Sequence, residues 1–135
     1  MPEQDEVWCV AREFFHKGDN DLKAADQTLR LGHDCPTDTV GFHAQQAVEK
    51  YLKGMLVFKS IDFPKVHDIG MLLSLLPSSI CPKLTPQEQR SLTDYATVTR
   101  YPGDYEEPTL AEARQAVKIA KRVRRVIRKA LPRGV

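Results

Sequence analysis

The 135-residue chain lacks most of the signatures that announce a membrane protein, a metalloprotein or a familiar enzyme class. No apolar run approaches the ~20 residues that a membrane-spanning helix needs. The opening MPEQDEVW is acidic where a signal peptide is basic and then apolar, so a cytoplasmic protein with no membrane association is expected. Cysteine is scarce: Cys9, Cys35 and Cys81 are odd in number and far apart, which excludes a disulfide framework and any CxxC motif. Cys9 and Cys81 are expected to be buried or half-buried, and Cys35, within the turn-like HDCPTD, to be exposed. The four histidines, His16, His33, His43 and His67, have neither HxxxH nor Cys/His ligand spacing, so no metal is expected. No GxSxG, Walker or GxGxxG motif occurs, and no cofactor is implied. No segment alternates at period two, no strand–helix alternation appears, and there is no internal repeat.

Acid is missing from one region altogether. Residues 113–135 hold nine Lys/Arg and no Asp or Glu, whereas residues 1–112 hold 11 Lys/Arg against 18 Asp/Glu. The formal charge of +2 therefore averages a segment of −7 with one of +9.

What remains is helical periodicity. A first pattern runs from about Gln4 to Leu31, with Trp8, Ala11, Phe15, Leu22, Ala25 and Leu29 on one face. Gly18 falls on the same line and is expected to weaken the helix, since Gly costs ~1 kcal/mol relative to Ala. After the loop GHDCPTD, Thr37 or Asp38 is a candidate cap for a second helix from about Asp38 to Lys59. Its stripe is Ala44, Ala47, Val48, Tyr51, Leu52, Met55 and Leu56, and His43, Gln46, Glu49, Lys50 and Lys53 form a polar row opposite.

Asp68 suits the N-cap of a short helix, IGMLLSLLP. Thr85 with Pro86 and Glu88 forms a capping box opening a helix to about Val98, with Leu92, Tyr95 and Ala96 inward. Thr109 and Glu112 form another, for a last helix to about Leu131 that buries Ala113, Ala116, Val117, Ala120, Val123, Ile127 and Ala130. The expected fold is all-α: a single domain over residues 1–135, core about 5–131, built as an up-and-down antiparallel four-helix bundle with one additional short helix.

Three constellations carry candidate chemistry. Arg114, Lys118, Lys121, Arg122, Arg125, Arg128 and Lys129 form a basic stripe with Arg124 at its edge. Lys118, Lys121, Arg122 and Arg125 are its candidate nucleic-acid contacts; the competing readings are a solvated helix end whose cations complement the helix dipole, and pairing with a neighbouring helix or another subunit, since the first 112 residues are acidic. No aromatic interleaves the stripe, so base stacking is not indicated. In the second helix, His43, Gln46, Lys50 and Lys53 have the spacing to hold a phosphate or nucleotide, but spacing alone favours an exposed face with a Glu49–Lys53 pair four residues apart. The loop RYPGDY places Arg100, Tyr101, Asp104 and Tyr105 between two helices. There Arg100 either binds an anion in a bidentate manner or satisfies helix-end carbonyls.

FHAQQAVEKYLKGML, VHDIGMLL, YATVTRYPGDYE and a helix beginning AEARQAVKIA, in this order, resemble the HEPN domain family over about residues 7–130. WCVAREFFHKGDNDLKAAD resembles its first helix, and AQQAVEKYLK is the strongest block. The resemblance implies a helical bundle, usually a homodimer, often paired with a minimal nucleotidyltransferase. Members include nucleotide-binding partners of that enzyme and toxins that cleave RNA.

The ribonuclease members carry Arg, four to six residues, then His. Arg100 matches the Arg, but Tyr105, Glu106 and Glu107 stand where the His belongs, and no histidine follows anywhere. RNA cleavage without metal needs an acid/base poised near neutral pH, and tyrosine, with a pKa near ~10, is a poor substitute for histidine. The favoured expectation is therefore a non-catalytic binding module that pairs with a nucleotidyltransferase, with a nucleotide site at Arg100, Tyr101, Lys50, Lys53 and Gln46. The alternative is an RNA-cleaving toxin of a toxin–antitoxin pair using Arg100 with His67 or Tyr105, and a third reading is a dimeric helical scaffold with no ligand.

Overall fold

The computed structural model describes residues 4–96 and 106–135. It contains α1 (Gln4–Leu29), a 3-10 turn (Gly32–Asp34), α2 (Thr37–Phe58), α3 (Ile69–Leu75), α4 (Pro86–Tyr95) and α5 (Leu110–Lys129). No strand occurs among the described residues, and the chain is an all-α helical bundle. No described helix is long and apolar enough to cross a membrane.

The second helix is the axis. It packs most extensively along α1, then against α5, α4 and α3, so that every other helix rests on it. Val40, Ala44, Ala47, Val48, Tyr51, Leu52, Met55 and Leu56 are all fully buried, surrounded by Phe15, Ile69, Leu72, Leu92, Ala120, Val123 and Ile127. Removing such residues from water is the main stabilising term, ~1.5–3 kcal/mol for each large aliphatic side chain.

The capping signals in the sequence become bonds. Asp68 accepts from the Met71 amide at 3.2 Å, and Thr85/Glu88 and Thr109/Glu112 each close a reciprocal capping box. The start of α2 differs from expectation: Pro36 is its N-cap and makes no side-chain bond, while Asp38 accepts from the adjacent Thr39 amide. Helix ends move inward by one or two residues, to Leu29, Phe58 and Lys129, and Ala130 is half-buried. The helix expected to reach Val98 is described to Tyr95, and Val98 lies outside the described residues. α2 ends in a Schellman motif, with Ile61 N–H bonded to Leu56 O (2.8 Å) and Ser60 N–H to Val57 O (2.9 Å). This motif requires the left-handed region at Ser60, where φ is +57°.

Three further sequence expectations are corrected. Cys35 is buried and Cys9 exposed, the reverse of the forecast, because Cys9 sits off the apolar line of α1; Cys81 is half-buried as expected. Gly18 does not interrupt α1. It lies against the Tyr51 ring, where a Cβ would sit 2.8 Å from Cε1, so its bareness is what lets α1 approach α2.

Candidate functional site

The α2 polar row is organised by two carboxylates into two similar sets. In the first, Asp21 from α1 receives His43 Nδ1 at 3.0 Å on one oxygen and Lys50 Nζ on the other. In the second, Glu49 receives Lys53 Nζ at 2.6 Å and His67 Nδ1 at 2.9 Å on Oε1, and Gln45 Nε2 at 2.7 Å on Oε2. Gln46 joins the second set by donating to Gln45 Oε1 at 2.7 Å. Each set is thus built on one carboxylate, one lysine and one histidine.

Glu49 does not belong to an exposed face. Its side chain is only 4% exposed, whereas His67 is 68% exposed. Burial works to raise the Glu49 carboxyl, but hydrogen bonds from Lys53, His67 and Gln45 outweigh it and hold the group below its ordinary range. An ionised carboxylate only accepts, so His67 Nδ1 must carry the proton in this contact. In the neutral imidazole, Nε2 is then an acceptor, set by a buried anion.

The expected helix pair Glu49–Lys53 exists, but it is a covered contact, with Lys53 only 15% exposed. Ammonium groups held this way lose less rotamer entropy on meeting a ligand than free lysines do. Each lysine has three N–H donors and spends one on its carboxylate among the described residues, leaving donors for an anion. The row from His43 to Lys53 spans ten helical residues, ~15 Å at 1.5 Å per residue.

Of the nucleotide-site residues expected from sequence, Gln46, Lys50 and Lys53 share this row; His67, expected only for RNA cleavage, joins it through Glu49. Arg100, Tyr101, Asp104 and Tyr105 lie outside the described residues. Gln45 and Asp21 are additions, as is the anchoring role of Glu49, while His43, expected in the same row, joins it through Asp21. The available signal was Glu49 four residues before Lys53 on the same helix.

The basic stripe divides. Arg122 turns toward α4, donating to Glu88 at 2.8 Å and to Lys83 O at 3.3 Å. Arg124 and Arg128 turn toward α1 and grip Asp19 at 2.8 and 3.0 Å, with Tyr51 OH on the same carboxylate at 2.7 Å. Burial opposes ionisation of Asp19, but Arg124 and Tyr51 overcome it and hold the carboxyl low. Burial and Asp19 push the Tyr51 hydroxyl far above its usual value, so it stays a donor. Arg128 also caps Val135 O and covers the Phe15 ring, with its guanidinium 5.4 Å from the ring centre. These three arginines therefore hold the bundle together. Lys118 and Arg125 stay exposed, and Lys121 makes an exposed 3.0 Å contact with Asp26. No group of His, Cys, Asp and Glu able to hold a metal occurs among the described residues.

A family model described as the HEPN domain matches residues 11–130. The chain is similar to the crystal structure of TT1696 from Thermus thermophilus, with 26% identity and a TM-score of 0.73, covering 90% of this chain and 98% of that one. It is similar also to ST0689, described as an archaeal HEPN homologue, with 26% identity and a TM-score of 0.67, covering 88% and 95% of the two chains. No curated protein matches the sequence.

Proposed function

The chain belongs to the HEPN domain family, and we propose that within it this protein is a non-catalytic binding module that pairs with a nucleotidyltransferase and holds a nucleotide along α2. The observation that carries this reading is the fixing of Lys50 and Lys53 on one row by Asp21 and Glu49, with Gln46 beside them. Two held ammonium groups suit the phosphates, and the amide of Gln46 and the second ring nitrogens of His43 and His67, whose Nδ1 atoms meet Asp21 and Glu49, suit the polar edges of base and sugar. Arg100 and Tyr101, outside the described residues, are assigned to the same site from the sequence alone. The lack of any histidine after Arg100 supports binding without cleavage.

Isothermal titration of ATP, GTP and CTP into the purified protein tests the reading. Saturable binding is expected, weakened about tenfold in Lys50→Gln, because a hydrogen bond to a charged group contributes ~1.5–3 kcal/mol. Co-expression with a minimal nucleotidyltransferase is expected to yield a co-purifying complex. Absence of both nucleotide binding and complex formation rejects the proposal.

One observation favours a second reading, RNA cleavage. The buried Glu49 holds Nδ1 of the exposed His67, which leaves Nε2 as the acceptor of the neutral ring, the arrangement a general base requires. In this reading Nε2 takes the 2′-hydroxyl proton, the 2′-oxygen attacks phosphorus, and the P–O5′ bond breaks as the 5′-oxygen takes a proton from water, giving a 2′,3′-cyclic phosphate and a 5′-hydroxyl. Arg100 stabilises the phosphorane charge. A cyclic-phosphate product formed by the native chain and lost in both His67→Ala and Arg100→Ala selects this reading over the first.

A further inference from the structure

The cations of α5 fall into two classes by the direction in which they project. At 100° per residue, the buried Ala116, Ala120, Val123 and Ile127 define the inner side. Arg122 on one flank and Arg124 and Arg128 on the other are tied to Glu88 and Asp19. Between the flanks runs a crown at spacings of four, three, four and four residues: Arg114, Lys118, Lys121, Arg125 and Lys129, all exposed. Only Lys121 has an acidic partner among the described residues, Asp26 at 3.0 Å with both side chains substantially exposed. Exposed contacts of this kind contribute little and are readily exchanged.

We propose that this crown, through Arg114, Lys118, Arg125 and Lys129, docks the phosphodiester backbone of a single-stranded nucleic acid. Five cations along fifteen helical residues make a line of ~22 Å with a charge every ~5 Å and no carboxylate on the crown itself. Beside it, α1 and α5 enclose an open groove of ≈ 450 Å³ to which Lys23, Lys121, Arg124 and Arg125 contribute, with Asp19 and Asp26 at its α1 wall. Lys23 is exposed and adds a further cation on that side.

The composition of the face selects the occupant. Protein interfaces are built on an apolar or aromatic centre and are depleted in lysine, yet none of the exposed large apolar residues, Val10, Leu31, Phe42 and Met71, lies on α5. A membrane-surface helix needs an apolar side to insert, and that of α5 is spent in the core. A polyphosphate chain needs only regularly spaced positive charge. No aromatic stands on the crown, so contact is with the backbone and not the bases.

Fluorescence anisotropy with labelled 20-nucleotide single-stranded RNA and DNA, at salt from 50 to 200 mM, tests the proposal. Four phosphate contacts on a single strand give a slope of log K against log salt of about −2.8, a loss of roughly 50-fold over that range. Lys118→Gln/Arg125→Gln is expected to reduce the slope to about −1.4 and the loss to roughly 7-fold, and each single substitution to remove about 0.7 from the slope. A control with the same change in net charge, Lys65→Gln/Arg90→Gln, at exposed positions outside α5, is expected to leave the slope unchanged. RNA and DNA are expected to bind within a few-fold of each other, as a backbone contact requires. The proposal is overturned by no binding at 50 mM salt, or by an equal loss in the control variant. Discrimination above tenfold between RNA and DNA, or binding confined to phosphatidylserine vesicles, overturns it as well. Nucleotide binding at Lys50 is a separate reading, so the two proposals fail independently.

Discussion

His67, exposed and in the segment between α2 and α3, places its Nδ1 2.9 Å from Oε1 of Glu49, a carboxylate buried in the middle of α2. That contact joins a loop to the central helix and gives an outward-facing imidazole a fixed orientation. It also couples the candidate site to the stability of the fold.

Glu49→Ala is expected to destabilise the protein by about 2–3 kcal/mol in urea unfolding. Removing one partner of a buried ion pair strands the other, here Lys53 at 15% exposure, and leaves Gln45 without its acceptor. His67→Ala removes only a solvated partner and is expected to cost less than about 1 kcal/mol.

The acid limb of stability follows from the depressed carboxyls of Glu49 and Asp19. A group whose folded pKa lies below its unfolded value contributes fully above the unfolded value, and the contribution is lost as pH falls through the folded one. The melting temperature is therefore expected to hold level down to the ordinary carboxylate range, ~4, and to fall progressively below it. Thermal melts of Glu49→Gln are expected to show a shallower fall over the same window.

At Gly54 two effects oppose each other. Alanine gains ~1 kcal/mol in helix propensity, but its Cβ would lie 2.5 Å from Cε1 of the buried Phe15 ring. Overpacking of this kind costs ~1–3 kcal/mol, so Gly54→Ala is expected to be net destabilising by about 1 kcal/mol in denaturant titration.

Ser60 offers the opposite change. It occupies the left-handed region at φ +57° in the Schellman turn that ends α2. Glycine adopts that conformation without the steric cost of ~1–2 kcal/mol, though it also gains freedom in the unfolded chain. Ser60→Gly is expected to stabilise by about 0.5 kcal/mol, seen as a raised urea midpoint with an unchanged slope.

Much of the fold is written locally. Thr85–Glu88 and Thr109–Glu112 need only neighbours within one turn to form their caps, and the 3.6-residue period places Tyr51, Leu52, Met55 and Ile127 inward. What the sequence could not reveal depends on partners distant along the chain. Whether Glu49 is solvated is decided by His67, 18 residues later, and by the packing of α2. Whether Arg124 and Arg122 are free is decided by Asp19 and Glu88, 105 and 34 residues away. Gly18 looked like a weak point because helix propensity was visible and the Tyr51 ring was not. The row of Gln46, Lys50 and Lys53 was legible as a face, and so was the Glu49–Lys53 pair, but the burial of Glu49, its contact with His67 and the part played by Asp21 were not.

The central claim, that this row is a nucleotide site, is tested most directly by proton–nitrogen NMR of the full chain titrated with ATP. Side-chain and amide resonances of His43, Gln46, Lys50, Lys53 and His67 are expected to shift together along one saturating curve, while those of Lys118 and Lys129 on α5 stay in place. Unmoved spectra at saturating ATP, or shifts confined to α5, would contradict it.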